Sequence, residues 1–251
     1  MPISETNNRP SVHSASSLLE RTFTRLFMRP ALVTEATDLS EKFRYISLQS
    51  EALKECSWKP GDKVQVKLGK GIITRTYTPI SWNMDKGETQ LLVYCHGEGP
   101  GSAWATDVSP GDERQLFGPR NSISLNHLTS TTILFGDETT FALALALEQA
   151  ATPGALHRHY VFEVTDREEA ASVLRQLGLP SPVLVQKCDG NEHLENLTDV
   201  LRDFIQPDST FVLCGKAASI QHVNRMLKAQ GVKIHNRRTK AYWAPGKTGL
   251  D

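Results

Sequence analysis

Near residue 129 the hydrophobic pattern of this 251-residue chain changes in kind, which sets two unlike folds in a definite order. On the N-terminal side, short runs rich in β-branched and aromatic residues fall at 31–37, 43–48, 63–68, 72–80, 89–95 and 113–117. Turn-forming triplets separate them: Pro60-Gly61-Asp62, Asp85-Lys86-Gly87 and Pro110-Gly111-Asp112. Short strands punctuated in this way predict a six-stranded antiparallel β-barrel. The run is interrupted at 99–107, where a Gly- and Pro-rich turn opens a short helix around Ala103-Trp104-Ala105.

On the C-terminal side, strands at 132–135, 160–164, 183–186 and 210–214 alternate with helices at 139–150, 168–177, 194–205 and 217–230. Strands alternating with helices predict a parallel sheet covered on both faces. The expected division is a polar flexible leader (1–20), a barrel domain (21–128) and an α/β domain (129–251) that closes in a basic and aromatic tail. A short helix is expected at 18–28.

Composition excludes several classes of function. Lys plus Arg equals Asp plus Glu at 28 each, so the strong positive field of a non-specific nucleic-acid binder is missing. The longest apolar run, 141–147, falls far short of the roughly 20 residues that cross a bilayer. The N-terminus has no apolar core of a secretory signal. Cys56, Cys95, Cys188 and Cys214 form no C-x-x-C pair, which argues against a structural zinc or iron–sulfur site and fits a reducing cytoplasm. His157 and His159 have no third ligand at suitable spacing. A monomer is expected.

Two constellations carry the chemistry in the barrel half. In Arg75-Thr76-Tyr77-Thr78, a strand would place Arg75 and Tyr77 on one face and Thr76 and Thr78 on the other. A cation, an aromatic ring and hydroxyls are what a flavin needs, although a half-exposed barrel strand also favours Tyr and Thr. In His96-Gly97-Glu98-Gly99-Pro100-Gly101-Ser102-Ala103-Trp104, the amides of Gly101, Ser102 and Ala103 would sit at a helix N-terminus suited to phosphate. Ser102 could equally act as a plain N-cap, and Trp104 could pack on an adenine or on the barrel.

In the α/β half, Gly136-Asp137-Glu138-Thr139 stands where the first strand gives way to a helix, where Asp137 or Thr139 could cap it. Cys214-Gly215 ends the fourth strand, at the carboxyl edge where such sheets bind ligands. There is no G-x-G-x-x-G fingerprint. Thr165-Asp166-Arg167 ends the second strand. Arg167 could pair with a 2′-phosphate, which favours NADPH, and Asp166 could instead accept from a ribose hydroxyl. Basic residues gather near the end at Lys233, Arg237, Arg238, Lys240 and Lys247, with Lys67 and Lys70 on the barrel side. They could form a basic cleft or a solvated surface.

Taken together, the tetrapeptide, His96-Gly97, the loop from Gly99 to Ala105, Gly118-Pro119, Gly136 to Thr139 and Lys240-Ala241-Tyr242-Trp243 with Gly246 resemble the siderophore-interacting proteins. These are cytoplasmic ferric-siderophore reductases of the ferredoxin–NADP reductase superfamily. The resemblance covers about residues 21–247. It implies that the barrel binds FAD, with Arg75, Tyr77 and Thr78 on the flavin and His96, Gly97 and the loop from Gly99 to Trp104 at the pyrophosphate and adenine side. It implies NADPH or NADH as donor, with ferredoxin as an alternative, and assigns Gly136 to Thr139 to the start of the nucleotide domain. Ferric siderophores, anionic or rich in oxygen, would meet Lys70, Arg238, Lys240 and Lys247, while Arg167, Gly215 and Trp243 would border the nucleotide. The chain departs from many members at Ile80, where a second Arg is common, and at Gly101, where Ala is common. The expected function is therefore an FAD-dependent ferric-siderophore reductase. A general flavin or ferredoxin-type reductase and a non-catalytic siderophore-binding protein are the alternatives.

Overall fold

The computed structural model describes residues 27–69, 73–150 and 157–247. The leader, most of the helix expected at 18–28 and Lys70 lie outside the described residues. Seven strands form the first sheet: β1 (Arg29–Asp38), β2 (Phe43–Gln49), β3 (Asp62–Lys67), β4 (Thr74–Tyr77), β5 (Pro79–Asn83), β6 (Glu88–Tyr94) and β7 (Glu113–Asn121). Their order is β4-β3-β7-β1-β2-β6-β5, with every pairing antiparallel.

Seven strands rather than six arise because the run expected at 72–80 divides at Thr78. Pro79 has no N–H and holds the residue before it extended. Tyr77 pairs with Val64 on β3, whereas Pro79 pairs with Leu91 on β6. One residue therefore joins the two outermost strands of the sheet. The sheet must roll until its edges meet at Thr78, but β4 and β5 do not pair with each other. The barrel is closed by chain connection and not by a ladder, which leaves a seam. The inside of the roll is filled by Val33, Ile46, Leu48, Val64, Val66, Leu91 and Leu116, all fully buried. The helix α1 (Pro100–Asp107) follows β6, and Arg44 donates to the carbonyls of Ala105 and Thr106 at its end.

The second sheet is parallel. Its elements are β8 (Thr131–Asp137), α2 (Phe141–Gln149), β9 (His157–Val164), α3 (Arg167–Gln176), β10 (Val183–Gln186), α4 (His193–Arg202), β11 (Ser209–Lys216), α5 (Ala217–Ala229) and β12 (Arg237–Trp243). The order β10-β9-β8-β11-β12 reverses direction between β8 and β11. Ligands of such sheets bind in the crevice at the carboxyl ends of strands at this switch point. β12 was not expected as a strand. It is a half-buried edge strand whose run of Arg, Thr and Lys hides the usual apolar signal.

α2 explains how the halves join. Its sequence FALALALEQ is apolar on every side, and all of 141–147 is buried. A helix of that kind belongs between two layers. Phe141 stacks on Phe43 of β2 at 5.4 Å and packs edge-on against Phe162 of β9 at 4.8 Å. One core cluster therefore runs through Phe43, Ile80 and Leu92 of the barrel into Phe141, Leu145 and Phe162. Glu169 of α3 adds polar links, accepting from Ser40 Oγ at 2.7 Å and from the Lys42 amide at 3.0 Å.

Candidate functional site

A cavity of about 380 Å³ opens at the barrel seam and runs between the two sheets. Its lining includes Arg75, Thr76, Tyr77, Thr78, His96, Gly99, Gly101 and Ser102 from the barrel half, and Thr139, Lys240, Trp243 and Lys247 from the other. Residues widely separated in sequence thus share one wall. Tyr242 also lines it, as does Tyr94, which was absent from the residues expected there. Tyr94 was legible in principle. It ends β6 two residues before His96, and the two rings stack at 5.3 Å. His96 in turn lies 6.4 Å from the Trp243 ring.

Gly99 caps α1 without any side-chain hydrogen bond, and Pro100 is its first residue. The amides of Gly101 and Ser102 therefore point out of the first turn without intrahelical acceptors. A Cβ on Gly101 would lie 3.2 Å from the Tyr77 hydroxyl and 3.3 Å from Arg75 Cγ, so the absence of a side chain brings this turn tight against the guanidinium strand. Ser102 Oγ donates to the His96 carbonyl at 3.2 Å, which fixes the intervening loop and uses Ser102 as a staple and not as a cap.

On the other flank of α1 lies a second cavity of about 530 Å³, lined by Lys67, Leu68, Gly69, Pro100, Ala103, Trp104 and Arg114 among others. Trp104 is buried against Tyr77 at 5.5 Å, and its Nε1 has no hydrogen-bond partner among the described residues. Two cavities flank one uncapped helix N-terminus, with a guanidinium beside it and an unsatisfied indole N–H nearby. That arrangement fits a dinucleotide whose pyrophosphate lies between two ring systems. The residues present therefore suit FAD.

Behind the cavity lies a buried carboxylate at the switch point. Asp137, at the end of β8, accepts from the Thr139 amide at 3.0 Å, the Lys216 amide at 2.9 Å and Trp243 Nε1 at 2.7 Å. Gly215 has φ +99°, and a Cβ there would stand 2.8 Å from Asp137 Cγ, so only glycine lets β11 come this close. Burial pushes the Asp137 carboxyl above its ordinary value, against the lowering pull of Lys187 and of the hydrogen bonds from Thr139 and Trp243. Glu138 goes the other way. Burial opposes its charge, but Lys187 Nζ at 2.5 Å and the Thr165 amide at 2.5 Å outweigh it, and the carboxyl is held below its usual range. Gly136 is equally tight: a Cβ would clash with Thr140 Oγ1 at 2.1 Å.

Thr78 and Tyr242 bring their hydroxyls to 3.2 Å, which links the barrel seam to β12. Burial raises the Tyr242 phenol well above its ordinary value, so it stays protonated. Cys214, wholly buried at the end of β11, is pushed up to about 12 for the same reason. Gly97 sits in the loop before α1 with φ +68° and lines neither cavity. Arg167 is exposed at the first position of α3, away from both cavities. Arg238 donates to the His235 carbonyl and also lies off both.

A rolled antiparallel sheet followed by a parallel sheet, with a cavity between them and an uncapped helix N-terminus at its rim, is the two-domain fold of the ferredoxin–NADP reductase type. Residues 65–123 match the model of the siderophore-interacting FAD-binding domain. A siderophore-interacting protein from Aeromonas hydrophila superposes with TM-score 0.72 at 22% identity, over 88% of this chain and 93% of that one. A ferredoxin NADP+ reductase from Neisseria gonorrhoeae, with bound FAD and NADP, gives 0.69 at 15% identity, over 86% and 99%. Among characterised proteins, the toluate 1,2-dioxygenase electron transfer component of Pseudomonas putida is 25% identical over 224 residues. That match takes in 82% of this chain but only 65% of the relative. The expected FAD agrees with the family match.

Proposed function

We propose that the protein is a ferric-siderophore reductase, a flavin-dependent reductase whose electron acceptor is chelated Fe(III). The observation that carries the reading is the siderophore-interacting FAD-binding match at residues 65–123, which falls on the strands and helix that form the cavity wall. Bound FAD would accept a hydride from NAD(P)H and pass single electrons to the acceptor. Arg75 and the first turn of α1 would hold the pyrophosphate. Thr78, held against the Tyr242 hydroxyl, would keep a hydroxyl and the seam backbone at the ring. Trp243, oriented by its bond to Asp137, would cover the mouth and limit water.

Charge supports the acceptor class. Lys63, Lys240 and Lys247 share the cavity with Arg75, which favours an anionic or oxygen-rich ligand. For the donor, Asp166 is committed to capping α3, where it accepts from the Glu169 amide at 2.9 Å. Arg167, exposed beside it at the start of α3, would offer its guanidinium to the 2′-phosphate of NADPH, which is the donor proposed. The proposed setting is the cytoplasm. No helix among the described residues is long and apolar enough to cross a membrane.

A second reading is an electron-transfer reductase that serves a protein acceptor, favoured by the likeness to the toluate dioxygenase component. An anaerobic spectrum of the purified protein separates the two. Ferric-siderophore reduction requires a flavin band that bleaches with NADPH and returns as a ferrous trap colours on adding a ferric chelate. A band that bleaches but recovers only with a ferredoxin overturns the siderophore assignment in favour of the second reading.

A further inference from the structure

At the outer edge of the parallel sheet, apart from both cavities, three side chains from three neighbouring segments converge. Cys188 follows β10, His193 opens α4, and Glu163 stands near the end of β9. Cys188 is exposed, whereas His193 and Glu163 are only 4% and 1% exposed. Cys188 Sγ lies 3.6 Å from His193 Nδ1, and His193 Nε2 lies 3.0 Å from Glu163 Oε2.

The local hydrogen bonds set the tautomer. Nδ1 accepts from the Cys188 amide at 3.3 Å, so the ring proton of the neutral imidazole sits on Nε2 and is donated to Glu163. That single Nδ1 lone pair, 3.3 Å from the Cys188 nitrogen, also has the sulfur within reach at 3.6 Å, so taking the thiol proton displaces the amide contact. The His193 amide, in the first turn of a ten-residue helix, donates to Sγ at 3.2 Å and so fixes the sulfur beside the imidazole. A buried carboxylate is costly, and Glu163 Oε1 has no hydrogen-bond partner among the described residues. Its other oxygen, Oε2, holds the imidazole at 3.0 Å and fixes the ring's orientation.

We propose that Cys188 is a nucleophilic thiol, with His193 as its base and Glu163 as the positioning residue, and that it undergoes reversible S-thiolation by low-molecular-weight disulfides. The step balances with the disulfide itself as the oxidant. The Cys188 S–H proton passes to His193 Nδ1, and the sulfur attacks one sulfur of the disulfide. The S–S bond of the reagent breaks as the Cys188–sulfur bond forms. The departing thiolate takes the proton from His193 and leaves as a thiol. Cys188 is oxidised to a mixed disulfide, and half of the reagent is reduced.

The position gives the adduct a consequence. Lys216 Nζ donates to Asn191 Oδ1 at 3.2 Å within the same loop, and the same ammonium lies 6.0 Å from the Trp243 ring centroid at the cavity wall. Lys187, the adjoining residue, holds Glu138. A group added at Cys188 would press on both links.

The test is the rate at which hydroxyethyl disulfide modifies each cysteine of the full chain, mapped by mass spectrometry after quenching. Native Cys188 is expected to react at least about a hundredfold faster than Cys188 of the urea-unfolded chain, the lower reach of a positioned base. Glu163→Gln keeps the shape of the side chain and should remove most of that gain, and His193→Gln should remove it all. Both variants are compared with wild type for flavin content, which this edge cluster should leave unchanged. A native rate equal to the unfolded rate overturns the proposal, as does a folded Glu163→Gln protein that reacts like wild type. Should either variant fail to fold, the comparison of native with unfolded wild type decides alone. None of these readouts depends on siderophore reduction, so the proposal stands or falls apart from the function argued above.

Discussion

Trp243 Nε1 donates to Asp137 Oδ2 across 2.7 Å, which ties the last strand of the parallel sheet to the carboxyl end of its first. The same oxygen accepts from the Lys216 amide of β11 at 2.9 Å. One buried carboxylate thus gathers β8, β11 and β12 at the switch point, and the indole it orients becomes a wall of the cavity. The site's shape on the nucleotide side depends on a residue that does not itself line the cavity.

Asp137→Asn is expected to lower stability by about 1–3 kcal/mol, because the carboxamide must turn an NH2 group toward one of the N–H donors now facing the carboxylate. Urea unfolding of the two proteins measures it. The variant should also lose the fixed setting of Trp243, read as a red-shifted and less structured tryptophan emission. A variant as stable as wild type would mean that the three donors find other acceptors.

Much of this arrangement was readable in the chain and part was not. The two sheets announced themselves through strand spacing and then through alternation, and the Ala/Leu run of α2 already implied burial on every side. The division of the run at Thr78 was hidden, because β4 and β5 are continuous in sequence and differ only in their partners. β12 was hidden by its basic residues, whose charge masks a strand that needs only one buried flank. Among the site residues, the tetrapeptide and the loop before α1 were legible because glycines and aromatics mark them. Tyr242 mattered through a contact 164 positions away, with Thr78, which no local pattern reports. The Cys188–His193–Glu163 cluster was hidden likewise, since Glu163 comes from the neighbouring strand.

Arg75→Ala should weaken FAD retention by roughly 10–100-fold, the loss expected for one charge-assisted contact to a phosphate. Titration of the flavin-free protein with FAD, followed by quenching of flavin fluorescence, gives the constant. Gly101→Ala is the companion. The Tyr77 hydroxyl and Arg75 Cγ would have to shift by a few tenths of an ångström, so a smaller loss is expected. Equal FAD affinity in Arg75→Ala and wild type would remove Arg75 from the pyrophosphate site.

Lys247 is exposed at the cavity rim, where charge acts mainly on encounter. Lys247→Glu should lower kcat/KM for a multiply anionic ferric chelate by about three- to tenfold at low salt, and the difference should shrink at about 0.5 M salt as screening shortens the reach of the field. A neutral ferric hydroxamate should show little change. Equal losses for both chelates would point to a packing role for the side chain.

Glu138 and Lys187 make stability depend on acidity in a definite direction. The native Glu138 carboxyl is held below its ordinary value of 4.5, because Lys187 and the Thr165 amide outweigh burial. The unfolded chain therefore binds the proton more readily in that window. Stability from this group is complete above the unfolded value and drains away as the pH falls through the lower native one. Asp137, raised chiefly by burial, works in the opposite sense; burial acts alike in wild type and variant, and Glu138, the last of the causes, is lost only in the variant. Glu138→Gln removes the ion pair at every pH. The gap in unfolding free energy between the two proteins should be widest above about pH 5 and should close as the medium is made more acid. Urea titrations at about pH 7, 5 and 4 test this. A gap that stays constant over that range would show that Lys187 holds Glu138 no more firmly in the native state than in the unfolded chain.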